Sequence, residues 1–185
     1  MTSRATALIL LVASISLLGA LIVPAWAEDE NSPALAAAMK NATATLQGGL
    51  RASEAQGTPI SAKFEIEDGK LQLSVYTMKG NDFMEVVADP NTGAIAKSEK
   101  ITDAGDLKEA AEQKAAMAKA KVPLLTATET AVKANAGSRA VSIVPELKGG
   151  QAMAEVTLLQ GTAFKKVTEK LDRNGKAVSN DPLNS

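Results

Sequence analysis

The chain of 185 residues contains neither cysteine nor histidine. The first absence removes disulfide staples and thiol nucleophiles; the two together remove the commonest general base and the usual zinc ligands. Aromatics make up 3% of the chain, one Trp, one Tyr and three Phe, too few for a platform on which bases could stack. Twenty Lys and Arg against 21 Asp and Glu leave a net charge of −1, which is no footprint for a phosphate backbone. Nucleic acid is therefore not an expected partner, and no cofactor or metal is expected. Glu65, Glu67 and Asp68 lie close in sequence. Alternation sends both glutamates to a wet face and the aspartate to a turn, so no desolvated acid/base pair is foreseen. No spacing supports a Ser/Lys dyad, and the chain reads as a protein that is not an enzyme.

A long apolar run occurs only at the start. Arg4 precedes apolar residues 5–23, and Pro24-Ala25-Trp26-Ala27 ends in the small residues that signal peptidase accepts. Residues 1–27 are expected to be a cleaved signal peptide, with a retained anchor as the competing reading. Cleavage leaves no membrane span. An exported chain without cysteine leans toward a bacterial origin and a periplasmic or extracellular location.

The remainder reads as α+β. Segments Ile60–Glu67, Lys70–Met78, Phe83–Ala88 and Ala94–Lys97 alternate apolar and polar residues between turns carrying Gly or Asn, the pattern of a four-stranded antiparallel meander. A second copy runs from Val141 to Val178. An offset of 81 residues places Gly161 on Gly80, Gly150 on Gly69, Phe164 on Phe83, Val156 on Val75 and Val167 on Val86. The turn Asp172-Arg173-Asn174-Gly175 answers Asp89-Pro90-Asn91-Thr92-Gly93 after a shift of one residue. Asp89 to Gly93 has the composition of a β-turn and lacks the later glutamate of a calcium loop. Pro145, where the first copy has Phe64, predicts an edge or a bulge in its strand.

Each meander follows a helix. Ser32-Pro33 is an N-cap and N1 pair, and Leu35, Met39, Ala42, Leu46 and Leu50 form one stripe that should end or kink at Gly48-Gly49. Thr126 to Glu129 has the form of a capping box, opening a helix that Gly137 ends. Between the copies, residues 102–121 combine early acids and late lysines with a weak stripe of Leu107, Ala110, Ala111, Met117 and Val122, which predicts a solvent-exposed connecting helix. The expected organisation is a signal peptide at 1–27, a first unit at 28–101, a connecting helix at 102–123 and a second unit at 124–185. The two units would share one continuous sheet of about eight strands, with their helices on one face and the other face open to water. Gln72, Ser74, Tyr76, Glu85, Glu155 and Thr157 would line that open face and form the expected partner-binding surface.

Residues 57–69, 83–93 and 125–137 resemble the PepSY domain pattern: an Ala-rich helix, a strand ending in acidic residues and Gly, and a closing motif carried here by Glu85-Val86-Val87-Ala88-Asp89-Pro90-Asn91-Thr92-Gly93. The second copy departs from it, with Lys170-Leu171-Asp172-Arg173-Asn174-Gly175-Lys176-Ala177 one residue shorter in the turn. The resemblance implies an exported, non-catalytic binding or regulatory module. Such a module could restrain a secreted or envelope peptidase, or bind another protein, by docking on the open sheet face or an edge strand. The alternative is a small-ligand carrier with a pocket between sheet and helices.

Overall fold

The computed structural model describes residues 32–172. The signal-peptide reading, the turn beyond Asp172 and the last segment of the second copy lie outside them. Along the chain come helices α1 (Pro33–Met39) and α2 (Leu46–Ser53), strands β1 (Thr58–Glu67), β2 (Lys70–Lys79), β3 (Asp82–Ala88) and β4 (Ile95–Lys100), and helices α3 (Ala104–Met117) and α4 (Leu124–Ala134). Strands β5 (Arg139–Lys148), β6 (Gln151–Gln160) and β7 (Ala163–Lys170) follow. The strands form one antiparallel sheet in the order β4-β3-β2-β1-β5-β6-β7, an α+β fold. No helix among the described residues is long and apolar enough to cross a membrane.

Local turn chemistry sets the register. Asp68-Gly69 and Gly149-Gly150 both take positive φ at two successive residues, the backbone of the two-residue hairpin turn whose twist matches the strands it joins. The ladders that follow coincide at the same offset of 81. Val75 pairs with Ala62 and Val86, while Val156 pairs with Ile143 and Val167, and the irregularity at Pro59/Ser61 reappears at Ala140/Ser142. β1 and β5 meet antiparallel at only two pairs, Ala62 with Ile143 and Lys63 with Ser142. Ala62 thus faces its own counterpart, and a local twofold axis passes between them.

One face of the sheet is the main core. Ala62, Phe64, Leu73, Val75 and Val86 from one half, and Ile143, Ala154, Val156 and Leu158 from the other, pack under Leu35, Met39, Leu46, Leu50 and Leu124 of α1, α2 and α4. All of these side chains are buried. Each large one removed from water contributes about 1.5–3 kcal/mol.

Four local expectations need correction. The first stripe is two helices, broken at residues 40–45 and not at Gly48-Gly49, because Thr45 caps α2 by accepting from the Gly48 N–H at 3.0 Å. Gly49 stays inside α2, where a Cβ would lie 2.4 Å from Leu73 Cδ2. α4 begins at Leu124 after Pro123 with no side-chain cap, and Thr128 and Thr130 turn their hydroxyls back onto the carbonyls of Leu124 and Thr126. Pro145 lies in a central strand with no bulge at its position: it stays in register with Ala154, and it stands past Ile143, where the β1–β5 ladder ends and β5 is locally unpaired on that side. Finally, α3 is no exposed connector. It lies across the polar face over β5, β1 and β6 and buries Ala110, Gln113 and Ala116.

Candidate functional site: the polar face of the sheet

The face opposite the main core carries Lys63, Glu65 and Glu67 of β1, Gln72, Ser74 and Tyr76 of β2, Glu85 of β3, Ser142 of β5, and Glu155 and Thr157 of β6, as the ladders require. It is not open throughout. Ser74, Tyr76 and Thr157 are buried, whereas Gln72, Glu85 and Glu155 are half-buried. The expected surface is therefore divided: its centre lies beneath α3 and its flanks face solvent. The weak apolar stripe of α3 concealed this, because alanine and glutamine can pack on a hydroxyl-bearing sheet without the large side chains that a core helix advertises.

α3 is positioned by its N-cap and by two polar contacts. The Asp103 carboxylate accepts from the Gly105 and Asp106 N–H groups at 2.8 and 3.2 Å. The Ser61 hydroxyl donates to Gln113 Oε1 at 2.8 Å, and the Tyr76 hydroxyl bonds the Asp106 carboxyl. Burial drives the Tyr76 phenol far above its ordinary value, reinforced by the negative charges of Asp106, Glu85 and Glu65. Burial also raises Asp106, with Asp103 adding to it. A smaller apolar cluster of Ile60, Tyr76, Ile101 and Ala110 supports the helix from β1, β2 and the end of β4, with Met78, Phe83 and Met117 packed around it.

On the flank of the first half, Glu65, Glu67 and Glu85 bring carboxylate oxygens within 4.8 Å of one another. Gln72 Nε2 donates to Glu65 Oε1 at 3.2 Å, to Ser74 Oγ at 3.0 Å and to Glu67, and Lys63 pairs with Glu65. Burial first, then the Glu65 charge, raises the Glu85 carboxyl above its ordinary value, opposed by a hydrogen bond from Ser74. Hard carboxylate oxygens suit a divalent cation, yet here the Gln72 amide occupies lone pairs on two of the three. The group is better suited to receive N–H donors. Asp89, by contrast, spends one oxygen on the Asn91 and Thr92 N–H groups and the Thr92 hydroxyl, which draws its carboxyl down and builds the turn.

On the opposite flank each acid has a lysine: Glu146 pairs with Lys148 at 3.0 Å and Glu155 with Lys166 at 2.5 Å. Sequence reasoning sent Glu65 and Glu67 to the wet face but did not count them among the partner-binding residues. Their signal was visible as alternate positions on β1, on the side away from Ala62 and Phe64.

A second feature is a cleft of about 440 Å³ at one end of the sheet, lined by Leu50, Pro59, Met117, Val122 and Leu124 with Glu54 and Lys121 on its polar side. It lies between the end of α2, the start of β1 and the α3–α4 connection.

Residues 34–99 match the family model described as "Peptidase propeptide and YPEB domain", PepSY. No curated protein matches the chain. A solved structure described as a putative lipoprotein from Clostridium difficile 630 is similar at 17% identity over 66% of this chain and 80% of that one, with a TM-score of 0.39. A likeness at that level fixes neither fold nor function. The family match runs from the second residue of α1 to the last but one of β4, about a third of the chain, and includes the carboxylate cluster: this segment is similar to PepSY domains.

Proposed function

We propose that the chain is an exported, non-catalytic binding module built of two PepSY-like units. It docks a protein partner, a peptidase or another exported protein, through a basic segment that meets the acidic flank at Glu65, Glu67 and Glu85. The observation that carries this reading is the difference between the flanks: on one side the carboxylates of Glu65, Glu67 and Glu85 gather beside the ion pairs Lys63–Glu65 and Lys97–Glu99, leaving acid in excess, and on the other Glu146 and Glu155 each have a lysine. Unbalanced charge at a surface favours a partner of opposite sign and makes the association sensitive to salt. The test combines the chain with each exported peptidase of its host and measures complex formation and residual peptidase activity. The E65Q/E67Q/E85Q variant is expected to weaken the complex at least about tenfold, as is raising salt. A complex indifferent to both, or no complex with any exported protein, overturns the reading.

The apolar cleft beside Leu50, Pro59 and Leu124 favours a second reading, a carrier of a small apolar ligand. Native mass spectrometry of protein isolated from its own host is expected to show a co-purifying mass under that reading. A bare chain mass removes it.

A further inference from the structure

The two faces of the sheet are covered in different ways. Over the main core, α1, α2 and α4 insert Leu35, Met39, Leu46, Leu50 and Leu124, all buried. Over the polar face, α3 inserts alanine and glutamine and, at its end, Met117, resting on the small cluster of Ile60, Tyr76 and Ile101, while its leucine, Leu107, is 37% exposed. Beside that cluster, beneath the rest of the helix, lies a row of side chains that water would serve as well as a helix does: Ser61, Ser74, Ser142 and Thr157, all buried. The Thr157 hydroxyl has no hydrogen-bond partner. A buried hydroxyl in that state is destabilising in a way that exposure to water would relieve. A void of about 10 Å³ bounded by Ser61, Lys63, Ser74, Tyr76, Gln113 and Val144 separates helix from sheet, a volume at the lower limit for a single water. The contacts from Gln113 to Ser61 and from Asp106 to Tyr76 are ones that water can replace. The chain just beyond α3 is tied down independently, since the Lys121 and Val122 N–H groups both donate to the Leu171 carbonyl at 2.6 and 3.0 Å. Lifting the helix therefore leaves the α4 side of the molecule anchored.

We propose that α3 is a displaceable cover: it occupies the centre of the polar face and moves aside, without global unfolding, to uncover the hydroxyl row Ser61, Ser74, Ser142 and Thr157 as a docking surface continuous with the acidic flank. The partner that fits is the same basic protein segment, now with hydroxyls to receive its backbone and side-chain N–H groups. The partner's chemistry rests on the docking reading above, and the opening does not.

Because the chain has no cysteine, one introduced thiol reports on one place. Thr157→Cys reports beneath α3; Val156→Cys, its neighbour on β6, points into the main core. Each full-length variant is exposed to a thiol reagent across a range of low denaturant. The cover predicts that T157C labels at least about tenfold faster than V156C at a rate that denaturant barely changes, the mark of local opening. Adding Gln113→Ala should accelerate labelling of T157C and leave V156C unchanged. Equal rates with equal denaturant dependence overturn the proposal, because the helix then opens only with the whole fold. So does a T157C rate that Q113A does not move. Ser142→Cys, a conservative change on the same face, keeps the test decisive if T157C fails to fold. No partner enters this measurement, so its failure leaves the docking reading intact, and failure of docking leaves the cover intact.

Discussion

The two halves share a ladder but not a chemistry. Strand pairs, hairpin turns and the irregularity at the start of each first strand coincide at one offset, whereas the side chains that hang on them diverge. Phe64 corresponds to Pro145, Ala88 to Glu169, Thr58 to Arg139 and Glu85 to Lys166. Backbone geometry tolerates few substitutions at a two-residue turn, while a residue on a half-exposed face is held by little more than solubility. The divergent positions are therefore where the two halves differ in chemistry, and swapping counterparts measures what each side chain contributes.

The largest effect is expected at Phe64, fully buried in the main core. Phe64→Ala should cost about 3–5 kcal/mol in chemical denaturation, against about 1 kcal/mol for Pro145→Ala. Equal losses would mean that the two halves share the core evenly at this position.

Next comes Arg139, whose guanidinium donates to the carbonyls of Met39, Ala42 and Ala44 at 2.9, 2.9 and 2.7 Å and lies over the Phe64 ring. It fastens the helical layer of the first half to the first strand of the second. Arg139→Ala should cost about 1.5–3 kcal/mol, and Arg139→Lys should recover less than half, since one ammonium does not reproduce the fork. Thr58→Ala at the corresponding place should stay within about 0.5 kcal/mol.

Glu169 is buried, its Oε1 has no partner, and burial raises its carboxyl above the ordinary value of 4.5. A folded-state pKa above the unfolded one means that the folded protein binds the proton more tightly. Its contribution is fully present below the unfolded value and declines as pH rises toward the folded one, by up to about 1.4 kcal/mol per pH unit. Glu169→Gln, or Glu169→Ala in imitation of Ala88, should flatten that decline in unfolding curves taken from pH 4 to 8. Parallel wild-type and variant curves would place Glu169 in water.

The smallest stability effect belongs to Glu85→Lys, which copies Lys166 onto the acidic flank. Relief of repulsion from Glu65 should change stability by about 0.5 kcal/mol or less, while binding of a cationic partner falls sharply.

Much of the fold was legible because its signals are local. Alternation named the strands, and the turn at Gly69 with its counterpart Gly150 marked the hairpins. The two-helix start was not legible, since the stripe through Leu35, Met39 and Leu46 keeps its phase across a break made by Thr45 and Arg139, the latter about a hundred residues away. Nor was the placement of α3, whose contact surface of Ala110, Gln113 and Ala116 differs little from a solvated helix. Of the candidate site, Gln72, Glu85 and Glu155 fall on accessible flanks as alternation requires. Ser74, Tyr76 and Thr157 were assigned to the right face, but nothing in a strand pattern says what crosses above it.

The meeting of β1 with β5 has a kinetic consequence. Every other ladder in the sheet joins strands adjacent in sequence, but this one closes a loop of 81 residues between Ala62 and Ile143 for two pairs of return. Loop-closure entropy is concentrated at that junction, so the two hairpin sets can assemble from nearby contacts first. The rate of folding should then be governed by how fast two finished ribbons find each other edge to edge.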